Sequence, residues 1–476
     1  MSTKEQVSIT HRASRFMYQP GTAENANRFE ITSIPLVKRL LSSRWFQWSL
    51  TALTLPLFVL AILAGLFGTP AGSRNFGIVF VWIVWWALLM LILVPFAGRL
   101  WCTMCPIPAP GEWLQRRAFI GPRGGKLTTL GRRWPRPLNN IWLQNALFLA
   151  VALFSKVILT TPLVSSVMLL LFVALAILTS LLFERRVFCR YICPVGGFIG
   201  IYSQLAPVEV RIKDRALCST HQTKTCYVGS ASGYGCPWLV YPAALQRNTY
   251  CGLCTECFKT CPRDNMGVFV RPFGQDLASN QGRRLDEAYR ALMMLACALV
   301  YTIVFMGPWA QVKEAAYAVG SPAWWVYALA LTLLTIGVVP GLFYLCAAIA
   351  RRISASALPA RKLFVDYAYT LLPLGLAAWA AFNLSFVLIN FTYAWPVLSD
   401  PFGWGWNLFG TANWPWVPYL AGWQAAIQVP ILLVGLVGAI AVAFRTARSH
   451  RAPPRAALPV VGFCLVFTLV MMGLFV

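Results

Sequence analysis

The chain has 476 residues, 58% of them hydrophobic and 12% charged, with a net charge of +25 and a mean hydropathy of +0.63. Soluble globular domains carry about 25% charged residues, so this composition excludes an ordinary soluble domain, and its apolar content excludes a disordered chain. What it predicts is an all-α polytopic membrane protein.

A membrane-spanning helix needs about 20 mostly apolar residues. In chain order, residues 1–44 read as a polar, basic N-terminal segment on the cytoplasmic side. Apolar runs 45–68, 76–98, 138–155 and 164–183 follow, a four-helix membrane unit over 45–183. Residues 184–288 form a large polar insert, and runs 289–306, 324–350, 363–393, 423–444 and 457–476 give a five-helix unit over 289–476. The spacing thus predicts nine spans, with the long 363–393 run kinked near Pro373.

Lys and Arg accumulate in cytoplasmic loops of membrane proteins. With the N-terminus inside, 37 of the 40 Lys and Arg lie on the inner side, leaving only Arg74, Lys156 and Lys313 outside. The expected topology is N-in, C-out, with the lipid bilayer as the principal surroundings. Because the charge follows the loops, it argues for topology and against a nucleic-acid partner. The outer loop 394–423 carries six tryptophans and no Lys or Arg, the composition of an interfacial aromatic belt.

Fourteen cysteines are the second anomaly. Cys297, Cys346 and Cys464 fall in apolar runs and read as core residues. The other eleven lie in the two large inner loops, where a reducing cytoplasm disfavours disulfides and metal chemistry remains. Cys251-Gly-Leu-Cys254-Thr-Glu-Cys257-Phe-Lys-Thr-Cys261-Pro262 matches the C-x2-C-x2-C-x3-C-P run of bacterial ferredoxins, in which the fourth cysteine serves a second [4Fe–4S] cluster. The insert 184–288 is therefore expected to be a small ferredoxin-like α+β domain. Cys236, also followed by proline, is the natural partner of Cys251, Cys254 and Cys257. That leaves Cys218, Cys226 and Cys261 for a second site, one ligand short. His221, the one histidine of this loop, is the candidate fourth ligand; a three-cysteine [3Fe–4S] cluster and a lost second cluster are the open alternatives.

The last four cysteines form an internal repeat. Arg99-Leu-Trp-Cys102-Thr-Met-Cys105-Pro106 follows the second span, and Arg186-Val-Phe-Cys189-Arg-Tyr-Ile-Cys193-Pro194 follows the fourth. Both helix ends emerge on the same face, so Cys102, Cys105, Cys189 and Cys193 can converge on one metal site at the membrane surface. Separate structural thiols, or a zinc clip, are the alternatives.

These paired Cys-Pro helix ends, with the ferredoxin run, resemble the NapH/NosR/CcoG-like polyferredoxin integral membrane proteins over roughly residues 80–275. The first repeat departs from that group's C-x3-C-P spacing, and the five C-terminal spans have no counterpart in it. The resemblance implies an electron carrier of the bacterial inner membrane, linked to the quinone pool and to a respiratory, reductase or maturation partner. Its function would be single-electron transfer at the cytoplasmic face, in a quinol-linked oxidoreductase subunit. Asn383, Asn390 and Gln428, polar residues in apolar runs, are candidate quinone contacts, though helix–helix hydrogen bonding is their commoner use. Two other classes fit the same residues: a redox sensor or metallocentre-maturation accessory protein, and a structural zinc protein.

Overall fold

The computed structural model describes residues 28–121 and 127–475, and these are mostly helical. Packing divides them into two units that interleave in sequence. The first contains residues 28–57, 93–139 and 171–276, and the second residues 58–92, 140–170 and 277–475.

The first unit is built around a three-stranded antiparallel sheet of β1 (Phe29–Glu30), β2 (Val208–Ile212) and β3 (Met266–Val270), in the order β1-β3-β2. Val208 pairs with Val270 and Ile212 with Met266, while Glu30 pairs with Phe269 on the other edge. Val210, Met266 and Val268 pack with Leu253 into a small apolar core, against which Cys251, Cys257 and Cys261 rest. Phe29 and Glu30 of the N-terminal segment are thus part of the sheet, which the segment's polar composition did not predict. Thr255 Oγ1 donates to Leu41 O at 2.7 Å, and the Val268 amide donates to Thr32 Oγ1 at 3.2 Å, fixing residues 31–42 alongside.

Beneath the sheet lies a buried ionic network. Arg271 Nη1 meets Glu209 Oε2 at 2.8 Å and also pairs with Asp276, whose other oxygen accepts the Asn248 amide at 2.7 Å. Arg211 Nη1 donates to Asn248 Oδ1 at 3.2 Å. The network therefore grips the 3-10 turn Asn248–Tyr250, the turn that delivers the chain into Cys251.

The second unit is helical. Across the chain, eight helices are long and apolar enough to cross a membrane: Arg44–Phe67, Phe76–Ala97, Pro162–Leu182, Leu285–Phe305, Pro322–Ser354, Leu371–Ser399, Gln424–Ser449 and Pro454–Phe475. The expected 138–155 span differs. Its helix runs only over Trp142–Leu153, 12 residues, or about 18 Å at 1.5 Å per residue. The helix stops at Phe154 (φ −101°, ψ 8°), and the short helix Ser155–Thr160 ends at Thr161, held extended by the Pro162 that follows. The expected 363–393 run is likewise divided into Ala360–Ala368 and Leu371–Asn390, broken just before Pro373.

Within this unit Leu371–Asn390 packs along Gln424–Ser449, and a Cβ added at Gly435 would come within 2.3 Å of Ala377 Cβ. Such close backbone approach is how helices associate in lipid, where no hydrophobic drive separates helix from solvent. Leu285–Phe305 is the most enclosed of the eight. At its start, Asp286 accepts the Ile141 amide at 2.8 Å, and Asn145 Nδ2 donates to Asp286 O at 2.9 Å, anchoring the short helix Trp142–Leu153. The tryptophan loop begins as an extension of its helix, Ala394–Ser399, and Trp404, Trp406, Trp414, Trp416 and Trp423 are exposed beyond it.

Removing one partner of a buried ion pair leaves an uncompensated charge, at a cost of about 3–5 kcal/mol. Arg271→Ala leaves Glu209 with Arg28 and Arg211, and Asp276 with Arg211 alone at 3.6 Å, so two buried carboxylates are under-compensated and the sheet unit should open first. Limited proteolysis is expected to cleave near residues 248–276 in this variant while the apolar helices stay protected; equal resistance to wild type would mean that the network is dispensable.

Candidate metal centres

The eleven loop cysteines all lie in the first unit, and Cys297, Cys346 and Cys464 all lie in the second. Within the first unit the thiols fall into three groups, each close enough to interact electrostatically. Cys102, Cys105, Cys189 and Cys193 make one. Cys236, Cys251, Cys254 and Cys257 make the second. Cys218, Cys226 and Cys261 make the third. Among the described residues, no three His, Cys, Asp or Glu side chains close on a site for a single ion.

The first group is assembled by the two helix-end repeats, whose spacings differ by one residue. Cys102 and Cys105 leave the α-helical turn Leu100–Met104, whereas Cys189 and Cys193 span a π-helical turn, Phe188–Ile192, closed by the Cys193 amide on Phe188 O at 2.8 Å. The wider turn absorbs the extra residue. Both closing cysteines then take nearly the same backbone conformation, φ −62°, ψ 125° at Cys105 and φ −57°, ψ 116° at Cys193. Each precedes a proline, which disfavours helix at that position and turns the chain away.

The ferredoxin run is a tight loop with Leu253 and Thr255 at positive φ (54° and 57°), followed by the helix Glu256–Thr260. Gly252 is required there by contact, since a Cβ would fall 2.1 Å from Trp238 Nε1. Trp238 is buried, and Arg99 lies over its ring at 4.2 Å. Backbone amides point at the thiols: Leu253 at Cys251, Glu256 at Cys254, Ile107 at Cys105 and Gly196 at Cys193 (3.3 Å). Amides directed at sulfur are among the features that set the potential of an iron–sulfur cluster.

In the third group, Asn265 joins two cysteines: its Nδ2 donates to Cys218 Sγ at 3.2 Å and its amide to Cys261 Sγ at 3.4 Å. The His221 amide donates to Cys218 O at 3.4 Å, but its imidazole is engaged by Thr223. Its Nε2 lies 2.9 Å from Thr223 Oγ1, and the charges that bear on it are Arg263 and Lys224, not a thiol. Sequence reasoning passed over Asn265, because it belongs to no cysteine motif.

Burial pushes the thiols up, to about 11 at Cys193 and Cys251 and about 12 at Cys226 and Cys254. Without a cation they stay protonated at neutral pH, so binding iron must release protons. The cations that oppose this are Arg186 beside Cys105, Cys189 and Cys254, Arg99 beside Cys193 and Cys251, and Arg211 beside Cys251. Lys259 instead pairs with Glu256 at 3.0 Å, and Arg263 donates to Thr220. Among the candidate quinone contacts, Asn383 and Asn390 donate to the backbone of their own helix, at Trp379 O and Phe386 O, and Gln428 to Ala381 O of the neighbouring one. All three amides are occupied in holding helices.

A family model described as a 4Fe-4S binding domain matches residues 78–136 and 165–213, the two helices and helix ends that carry the Cys-Pro repeats. No curated protein and no solved structure matches the chain. The match supports an iron–sulfur, ferredoxin-type membrane protein concerned with electron transport.

Ligands of one centre act as a unit and give non-additive losses. If the four helix-end thiols share a site, Cys102→Ser and Cys193→Ser should each remove the same fraction of bound iron, and the double variant should lose little more than either. Additive losses, measured as iron per protein, would mean two separate sites.

Proposed function

We propose that this chain is a membrane-bound iron–sulfur electron carrier in which three groups of cysteines form a relay. One observation carries the reading: the groups adjoin one another within a single packing unit. Arg186 neighbours both Cys189 of the helix-end group and Cys254 of the ferredoxin run, and Cys257 of that run neighbours Cys226 of the third group. Thr103, between the first pair of helix-end cysteines, donates to Gly252 O inside the ferredoxin run. The chain links between the groups are therefore direct.

Cys236, Cys251, Cys254 and Cys257 would hold one [4Fe–4S] cluster, with Cys102, Cys105, Cys189 and Cys193 holding another and Cys218, Cys226 and Cys261 contributing to a third. A bound cluster supplies storage and transfer of a single electron. The residues fit that cargo. Their thiols receive backbone amides, and arginines 99, 186 and 211 offset the negative charge of thiolates held out of water.

The distribution of Lys and Arg supports placing the cysteine unit on the cytoplasmic side of a bacterial inner membrane. The same placement suits exchange of electrons with a respiratory or reductase partner or the quinone pool, as in the NapH/NosR/CcoG-like proteins. With the three groups in one unit, passage across about 30 Å of hydrocarbon would fall to a mobile quinone or a partner's cofactor.

Protein purified anaerobically should contain iron and acid-labile sulfide, and Cys254→Ser should lose the charge-transfer absorption of one cluster while still reaching the membrane fraction. Full iron content in that variant would refute the assignment of the ferredoxin run. Cysteines placed singly at residues 406 and 263 of a cysteine-depleted chain should be labelled by an impermeant reagent from outside and from inside, respectively. The reverse pattern overturns the orientation.

A further inference from the structure

The helix Pro35–Ser42 leads into the first apolar span, Arg44–Phe67, with a single extended residue, Ser43 (φ −67°, ψ 145°), between them. Its two faces differ. Lys38 and Leu41 turn to the protein: Lys38 pairs with Asp264, Leu41 packs on the core of Val210, Leu253, Met266 and Val268, and Leu41 O accepts from Thr255 Oγ1 at 2.7 Å. Leu36, Arg39 and Leu40 turn away, at the i, i+3, i+4 spacing of one helix face. Leu36 is 77% and Leu40 59% exposed, and Arg39 is exposed beside them. Ile34 before the helix and Trp45 after it are exposed as well.

A helix that meets water on its outer side carries polar residues there, and scattered single leucines need no explanation. Here four large apolar side chains gather around one cation between residues 34 and 45. Their place in the chain says what covers them. At 1.5 Å per helical residue and about 3.5 Å per extended one, Leu36 is no more than about 16 Å from Arg44, and Leu40 is closer. A helix turned along the bilayer at the end of the span therefore meets the headgroup layer, which is about 5–8 Å deep. Amphipathic helices that lie in this layer bury leucine and tryptophan at the acyl boundary and set Lys and Arg against anionic headgroups.

We propose that Pro35–Ser42 is an interfacial helix: its Leu36–Leu40 face is seated in the headgroup layer at the Arg44 end of the first span, and Arg39 binds the phosphate of an anionic phospholipid. The opposite face grips the cysteine unit through Thr255 and Asp264, so the lipid surface holds the ferredoxin run against the bilayer. The inference rests on the membrane reading of the proposed function, in which Arg44–Phe67 is a span, and is independent of which metal the cysteines bind.

The test uses the full-length protein in nanodiscs of phosphatidylcholine mixed equally with phosphatidylglycerol. The photo-crosslinking residue p-benzoylphenylalanine replaces Leu36, Leu40, Leu53 or Gln222 in turn, and adducts are identified by mass spectrometry. Leu53, exposed within the span, reports the span itself; Gln222, exposed in the cysteine unit, reports water. Positions 36, 40 and 53 should capture phospholipid and position 222 should not. Phosphatidylglycerol should be enriched several-fold in the adducts at position 40, and Arg39→Gln should return it to its share of the bilayer. Lipid capture at 53 without capture at 36 and 40, crosslinks from 36 and 40 to a second copy of the chain or to another protein, or adducts that follow bilayer composition in the protein with Arg39 intact would each overturn the proposal. Absence of lipid capture at 53 would instead refute the span and with it the membrane reading.

Discussion

The buried guanidinium of Arg186 is the contact on which the cysteine unit depends. It donates to Cys102 O at 2.6 Å and to Glu112 Oε2 at 3.0 Å, while its own amide donates to Pro237 O at 3.1 Å. One residue thus ties the second helix-end repeat to the first and to the Cys236-Pro237 turn. A lysine could supply the charge but not the planar fork that meets a carboxylate and a carbonyl together. Burial pushes the Glu112 carboxyl up, but Arg116 and Arg186 beside it hold it below the usual carboxylate range, so the pair stays ionised in its enclosed setting.

Arg99 plays the corresponding part for the first repeat. It lies over the Trp238 ring, donates to Thr249 O, and is an electrostatic neighbour of Cys193 and Cys251. The two repeat arginines therefore sit where the helix-end thiols meet the ferredoxin run, placing positive charge between two sites that would each carry thiolates. This accounts for the recurrence of arginine three residues ahead of the first cysteine in both repeats. Lys259 pairs with Glu256, and Arg263 donates to Thr220.

Much of the protein was legible in its sequence because the relevant signals are local. Apolar length marks a span, and eight of the nine expected runs contain helices long enough to cross a bilayer. The exception, Trp142–Leu153, is apolar enough, but its helix stops at Phe154, which hydropathy does not register. The thiol spacings were likewise legible: C-x2-C-x2-C-x3-C-P specifies a loop shape, and a Cys-Pro pair at each of two helix ends specifies a repeat. Cys236 is an electrostatic neighbour of Cys251, Cys254 and Cys257, and Cys226 is a neighbour of Cys218 and Cys261 but also of Cys236 and Cys257.

What the sequence determined by itself was what depends on neighbours along the chain: the apolar runs, the basic loops, and the thiol spacings. What only the tertiary structure decided was what depends on partners far apart in sequence. The N-terminal strand at Phe29–Glu30 pairs with Phe269 and Val270 because an open sheet edge demands backbone partners, not because of its composition. The π-helical turn at Phe188–Ile192 shows how C-x2-C and C-x3-C can be equivalent, because one wider turn absorbs one residue. The third cysteine group was decided in the same way. His221 lies three residues from Cys218 yet turns to Thr223, whereas Asn265, 47 residues away, donates to the Cys218 thiol and through its amide to Cys261. Spacing fixes only what a short loop can reach; which side chain completes a site is fixed by the packing that surrounds it.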